Sequence, residues 1–244
     1  MRRKFVDLHL KPNLHDMEQT QKMIVKAAEL GYHVIAVSLP VNQFDKYEAQ
    51  LRVLCEERGL NFVSRVDLTP RTPKELTHLL RKLRRRIEVI GVTCDSKAVA
   101  RQAAKDRRVD LLNFPADPRK RFFDAAEAEL ASGALAALEI DVNPLIMLEG
   151  AARIRLLSAL RREVAIARDY EVPVIISSGA PSELAMRKPR EMVALTMLFD
   201  MDRTQALDAV SKVPRSIVER NREKLSPNFI APGIRLIRRG KDCP

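Results

Sequence analysis

Tryptophan is absent from the 244 residues, and only three tyrosines and eight phenylalanines supply aromatic rings. Proteins that read unpaired bases line their grooves with ring faces on which the bases stack. So sparse a supply argues against sequence-specific reading of single strands. Cysteine is equally scarce. Cys55, Cys94 and Cys243 are odd in number and far apart, with no CxxC pair, which excludes a cysteine zinc site and fits a reducing compartment. Of the four histidines, only His9 falls at an expected strand end, since His15, His33 and His78 fall in a loop, a pre-strand turn and a helix. A catalytic zinc site would want two or three imidazoles converging there.

Other signals are missing too. Eight glycines are too few for a low-complexity or fibrous chain. No GxGxxG or GxxxxGKS/T loop is present to cradle a nucleotide cofactor, and Ser177-Ser178-Gly179 lacks the GxSxG setting of a serine nucleophile. No apolar run approaches the roughly 20 residues that span a bilayer. Met1-Arg2-Arg3-Lys4 leads straight into a short strand without the apolar stretch of a signal peptide. The expectation is a cytoplasmic protein with no membrane partner.

Positive charge, by contrast, is abundant. Lys and Arg number 43 against 32 Asp and Glu, a formal net charge of +11. An excess of that size on a globular chain points to a polyanionic partner, most often nucleic acid. The cations also cluster. Arg81, Lys82, Arg84, Arg85 and Arg86 crowd the end of one expected helix, opposite its leucine stripe, and Arg119, Lys120 and Arg121 follow an expected strand end. Arg187, Lys188 and Arg190 surround Pro189, Arg153, Arg155, Arg161 and Arg162 stud a long helix, and Arg235, Arg238, Arg239 and Lys241 lie in the tail. With few rings between them, these cations fit recognition of folded RNA through shape and phosphate. Arg65, the 81–86 cluster, Arg119–Arg121 and Arg187, Lys188 and Arg190 are the RNA-binding candidates. The bland alternative for each cluster is a solvated helix face.

Short β-branched runs alternate with helical patterns along the chain. Strands are expected at 5–8, 34–38, 62–67, 88–93, 109–114, 136–142 and 174–177, several apolar throughout, as in parallel strands covered on both faces. Between them, Leu76, Leu79, Leu80, Leu83 and Ile87 form one helical stripe, and Ile154, Leu157, Leu160, Val164 and Ala167 another. Asp16, Thr72 and Ser96 are expected N-caps, and Gly31 and Gly59 expected stops. Seven units of about 30 residues without a long linker predict an α/β, TIM-like (β/α) barrel, seven-stranded or irregular, with extra C-terminal helices. The barrel is assigned to 1–225 and a basic C-terminal arm to 226–244.

In a parallel barrel, function gathers at the C-terminal ends of the strands. Asp7, His9 and Lys11 alternate at the exit of the first strand and are expected on one face. A second histidine at position 11 would make a divalent-metal clamp, whereas an ammonium has no lone pair to donate. Asp7, Asp67 and Asp141 offer oxygen ligands suited to magnesium. The competing expectation, preferred here, is an ion-pair network of Asp7, His9, Lys11, Arg65, Asp67 and Asp141 at the barrel mouth, with no catalytic residue and no metal bound by the protein.

Several stretches, taken in order, resemble the ribonuclease P barrel-subunit family (protein component 3 in archaea). They are Phe5-Val6-Asp7-Leu8-His9, Leu30-Gly31-Tyr32 before Val34-Ile35-Ala36-Val37, and Ser64-Arg65-Val66-Asp67-Leu68. Asp110-Leu111-Leu112-Asn113-Phe114-Pro115, Leu138-Glu139-Ile140-Asp141, Val174-Ile175-Ile176-Ser177-Ser178-Gly179-Ala180, Arg187-Lys188-Pro189-Arg190-Glu191 and Leu198-Phe199 follow. The resemblance implies a barrel related to the polymerase and histidinol phosphatase phosphoesterases. Their His-x-His matches His9-Leu10-Lys11, their Asp-His pair is replaced by Leu39-Pro40 after Ser38, and their late Asp-x-His has no counterpart in Ser177-Ser178-Gly179-Ala180. It further implies a subunit that stabilises the catalytic RNA for removal of the 5′ leader from precursor tRNA, with Mg2+ on the RNA and not on the protein. The implied partners are ribonuclease P RNA, precursor tRNA indirectly, and the small RRM-like component 2. The rival reading is a free-standing metal-dependent phosphoesterase using His9, Asp67 and Asp141.

Overall fold

A computed structural model describes residues 3–231 and 233–236. Its strands and helices alternate: β1 (Phe5–Leu10), α1 (Met17–Leu30), β2 (Tyr32–Ser38), α2 (Phe44–Glu56), β3 (Asn61–Leu68), α3 (Pro73–Leu83), β4 (Val89–Thr93) and α4 (Lys97–Lys105). The alternation continues with β5 (Leu111–Asn113), α5 (Ala125–Ala134), β6 (Ala137–Asp141), α6 (Asn143–Met147), α7 (Gly150–Asp169) and β7 (Val174–Ser177). Three helices close the run, α8 (Pro189–Thr196), α9 (Arg203–Ala209) and α10 (Lys212–Leu225), and a short antiparallel pair follows, β8 (Phe229–Ala231) and β9 (Ile234–Arg235).

The seven strands pair in parallel in chain order from β1 to β7, and each expected strand is present within a few residues of its expected bounds. Closure comes not from an eighth strand but from one bridge past the end of β7, where the Lys11 N–H donates to the Ala180 carbonyl at 2.9 Å. His33 lies within β2 rather than before it, because Tyr32 already pairs with Phe5 of β1 and starts the strand one residue earlier.

Local chemistry explains the boundaries. Asp16, Thr72 and Ser96 accept N–H bonds at the starts of α1, α3 and α4, satisfying donors that have no partner within the helix. Gly31 ends α1 at φ 87°, a left-handed backbone that glycine adopts without steric cost. In α3, Leu76, Leu80 and Leu83 are buried, as is Ile87 beyond it. The α7 stripe holds at Leu160, Val164 and Ala167, but Ile154 is exposed, since burial along that helix begins only at Leu156.

Two apolar layers result. The larger lies between sheet and helices; the smaller fills the barrel with Val6, Leu8, Val34, Ala36, Val63, Val89, Leu111, Ala137 and Ile175. Ile217 and Val218 of α10 join the inner layer, so this helix stoppers the N-terminal end of the barrel. Around the stopper, Glu88 accepts from Arg222 at 2.5 Å, and Asp110 accepts from Arg84 at 2.5 Å and Asn221 at 2.8 Å. The opposite, C-terminal mouth stays open to the βα loops.

Candidate functional site

Along β3 and β6 the inward face that begins with the inner apolar layer continues as charged residues: Val63, Arg65, Asp67 on one strand and Ala137, Glu139, Asp141 on the other. The period of two sends all four charged side chains into the barrel above its apolar floor. Arg65, fully buried, uses every N–H it has. Its Nε donates to Asp67 Oδ1 at 2.9 Å, and its Nη2 donates to Asp67 Oδ1 at 2.7 Å and to Glu139 Oε2 at 2.5 Å. Nη1 donates to Glu139 Oε1 at 2.6 Å and to the Leu8 carbonyl at 2.7 Å. Glu139 also accepts from Ser177 Oγ at 2.7 Å and Asn113 Nδ2 at 3.1 Å, so β5 and β7 both reach this β6 carboxylate.

His9 sits above this clamp. Its Nδ1 lies 2.8 Å from Asp141 Oδ1 and 3.6 Å from Glu139 Oε2, and its Nε2 lies 3.1 Å from Asp67 Oδ2. The last is a charge contact without hydrogen-bond alignment, since neither atom has a hydrogen-bond partner. Burial and the nearby Arg65 both oppose protonation of the imidazole, but Asp141, Asp67 and Glu139 outweigh them and raise its pKa to about 9. Burial likewise opposes ionisation of Asp67 and Asp141, yet Arg65 and His9 hold the first well below the usual carboxylate range, and His9, Lys11 and Arg65 hold the second below it. Lys11, with its side chain 45% exposed, completes the mouth at 3.2 Å from Asp141 Oδ2. Three cations therefore face three carboxylates.

Two glycines make room. A Cβ on Gly91 would collide with Asp67 Oδ1 and come within 3.1 Å of Arg65 Nη2; one on Gly179, at φ +60°, would lie 2.8 Å from Asp141 Cβ.

Asp7 does not share this face. Val6 and Leu8 point into the barrel, Asp7 alternates with them, and the register of β1 breaks between Asp7 and Leu10. That irregularity resets the alternation and turns His9 inward. Asp7 instead accepts the backbone N–H groups of Ser178 at 3.0 Å and His9 at 3.1 Å. Burial raises its pKa, with those bonds and His9 opposing. The expected Asp7–Lys11 grouping is thus corrected, and Glu139, which sequence reasoning passed over, occupies the centre.

His9, Glu139 and Asp141 lie close enough to ligate one ion. They do not fit a resident metal. Both oxygens of Glu139 are held bidentately by Arg65, and any cation placed among these carboxylates would face that guanidinium, the His9 imidazolium and the Lys11 ammonium.

The RNA-binding candidates separate by exposure. Arg65 is corrected to an internal residue, as is Arg121, which grips Glu163 at 2.8 and 2.5 Å with its side chain 4% exposed. Arg84 is half-buried on Asp110, and Arg86 pairs with Asp45 beside the Phe44 ring. Arg84, Arg85 and Arg86 also lie past the end of α3 rather than on it. Arg187 folds back onto the Leu184 and Met186 carbonyls. Arg81, Lys82, Arg85, Lys188 and Arg190 are exposed and make no ion pair among the described residues, while Arg119 and Lys120 make only long contacts of 3.8 and 3.7 Å. Arg238, Arg239 and Lys241 lie outside the described residues.

The family model for RNase P subunit p30 matches residues 4–226. Ribonuclease P protein component 3 of Methanosarcina mazei is 33% identical over 208 residues, covering 85% of each chain. The protein of the same name from Methanococcoides burtonii is 30% identical over 96% of this chain and 94% of its own. Among solved structures, a chain of an archaeal ribonuclease P determined with mature tRNA superposes with TM-score 0.83 at 23% identity, covering 97% of this chain and 100% of that one. Aspergillus niger ochratoxinase gives 0.59 at 10% identity, over 88% and 71%. These two likenesses establish the barrel fold.

Proposed function

The chain belongs to the RNase P subunit p30 family, and from that premise we propose that this ribonuclease P subunit contributes structure and charge, not an active site, to tRNA 5′ maturation. It binds and stabilises the catalytic RNA, which holds the Mg2+ and removes the leader from precursor tRNA. It works with the other protein subunits, in particular the small RRM-like component 2, in the cytoplasm. No described helix is long and apolar enough to cross a membrane.

The observation that carries this reading is the mouth of the barrel. Where related phosphoesterases would hold metals, Arg65, His9 and Lys11 already neutralise Asp67, Glu139 and Asp141. The same observation weighs against a free-standing metal-dependent phosphoesterase. For RNA contact, the exposed Arg81, Lys82 and Arg85 and the pair Arg119 and Lys120 are the supported candidates, because their charges are not spent inside the protein. Each phosphate they meet would release condensed counterions and make affinity salt-dependent.

The test is reconstitution. Nuclease-treated protein should leave precursor tRNA uncut in Mg2+ or Mn2+, and cleavage should appear only when ribonuclease P RNA is supplied. Metal-dependent 5′ cleavage by the RNA-free chain, abolished by His9→Ala, would overturn the proposal.

A further inference from the structure

A cleft of about 780 Å³ opens far from the barrel mouth, between the end of α1, the starts of β1 and β2, and helices α8 and α9. Its floor is aliphatic with one ring: Leu30, Val193, Met197, Leu207 and Phe5. Met197, 63% exposed, and the neighbouring Leu198, 46% exposed, carry apolar surface past the edge. Cations stand around it, namely Arg3, Lys188, Arg190 and Arg203. His33 also lines it, with a buried Nδ1 that has no hydrogen-bond partner.

The nearby carboxylates are already committed. Asp208 takes Arg3, and Glu191 accepts the backbone N–H of Lys188 at 2.9 Å. Asp202 accepts those of Thr204 and Gln205 at 2.8 and 3.0 Å, and Asp200 lies 3.5 Å from Arg161. Lys188, Arg190 and Arg203 are left without an ion pair among the described residues, at the edge of a concave apolar surface. Contiguous exposed apolar surface rimmed by charge marks an interaction site. Unpaired cations around it select the opposite sign.

We propose that this cleft receives an acidic, amphipathic segment of a partner protein, its aliphatic side chains on the Leu30–Val193–Leu207 floor and its carboxylates on Lys188, Arg190 and Arg203. A cleft of this size is in the range that side chains of a single peptide segment fill, with apolar anchors at helical spacing and a polar rim. RNA is the poorer match. Bases stack on ring faces, and the floor offers only Phe5. The inference rests on the reading of the chain as one subunit of a multi-protein particle, and it moves Lys188 and Arg190 from RNA to protein contact.

The experiment uses the intact ribonucleoprotein. A zero-length carbodiimide joins an amine to a carboxylate only when the two touch. After treatment and proteolysis, Lys188 should be found amide-linked to an Asp or Glu of another protein subunit. Arg190→Glu combined with Arg203→Glu should weaken binding of that subunit at least tenfold, leaving circular dichroism and the salt slope of RNA affinity unchanged. Met197→Asp, at a position 63% exposed, should weaken it too. Coupling of Lys188 only within its own chain, or to nothing, overturns the proposal. So does a double variant that keeps the protein but loses RNA affinity. Wild-type chain that fails to retain ribonuclease P RNA at all would instead sink the reading on which the inference rests.

Discussion

Arg65 and Glu139, 74 positions apart in the chain and on strands that are not neighbours, meet inside the barrel through two parallel hydrogen bonds of 2.6 and 2.5 Å. Both side chains are fully buried. Desolvating two charges costs several kcal/mol each, and only a geometry that also satisfies their remaining donors and acceptors repays it. The Leu8 carbonyl, Asp67, Ser177 and Asn113 do that here.

Breaking one side of this pair strands the other. Glu139→Gln or Arg65→Met should each destabilise the fold by about 3–5 kcal/mol, the usual cost of leaving a buried charge unpaired. The Arg65→Met, Glu139→Leu double variant should recover a large part of that loss. Urea melts arranged as a double-mutant cycle check it. Additive losses would show that the two residues are not coupled.

The pH dependence of stability follows from His9 and Asp141. His9 is raised to about 9 in the folded chain from an ordinary 6.5. A base with a raised folded pKa stabilises fully below its unfolded value, and that contribution is lost as pH rises through the folded value. Asp141 is lowered, so its contribution is present above about 4 and lost as the solution is acidified. The two describe one shared contact and are not to be summed. The contribution of this pair should therefore be greatest between about pH 4 and 6.5 and fall by roughly 3 kcal/mol toward pH 9–10. His9→Asn should flatten the alkaline fall, as followed by denaturation midpoints from pH 5 to 10; an unchanged profile in the variant would remove His9 as its cause.

Much of this architecture was legible in the sequence, and the exceptions share a cause. Seven β-branched runs, three caps and the leucine stripe of α3 are local patterns, and the strands and helices formed where those patterns lie. The missing eighth strand was visible as a helical run after Ser177. Arg65 was rightly grouped with Asp67 at the mouth, but it was also counted as an RNA contact because a count of cations carries no direction, although Val63, Arg65 and Asp67 share a strand face. Glu139 was passed over although a carboxylate two residues before Asp141 in an apolar strand must point into the barrel. Both errors concern partners brought together only by barrel closure. Asp7 was misassigned for a different reason: the β1 irregularity that separates it from His9 leaves no mark in the residue types. Nor do local patterns reveal that Ile217 and Val218 stopper the barrel.

The exposed cluster after the α3 stripe should report on RNA. Arg81→Ala, Lys82→Ala and Arg85→Ala together should leave stability within about 0.5 kcal/mol, since none of the three is paired. Each lost phosphate contact should flatten the slope of log affinity against log salt by roughly 0.7–0.9. Arg86→Ala should have less effect, because Asp45 already neutralises it. An undiminished slope in the triple variant, with its circular dichroism intact, would assign the cluster to a solvated face.

Lys11→His restores the His-x-His spacing at the exit of β1 and deletes a cation from the mouth in one step. Lys11 is 45% exposed on its side chain, and an ion pair so open to solvent is worth at most about 1 kcal/mol. The variant should therefore lose little stability. It should still bind no stoichiometric Zn2+ or Mn2+, because the obstacle lies deeper. Glu139 remains locked bidentately to Arg65, His9 remains protonated between Asp67 and Asp141, and Leu39-Pro40 supplies no ligand from β2. Adding Arg65→Met frees Glu139 and removes the guanidinium's repulsion, so the double variant should bind metal more tightly than either single one, at a cost in stability of the unliganded fold. Elemental analysis after dialysis, with urea melts run in chelator and in metal, separates these outcomes. Tight stoichiometric metal on Lys11→His alone, with stability undiminished, would mean that the position-11 cation was the only barrier and that the Arg65 clamp does not exclude a metal.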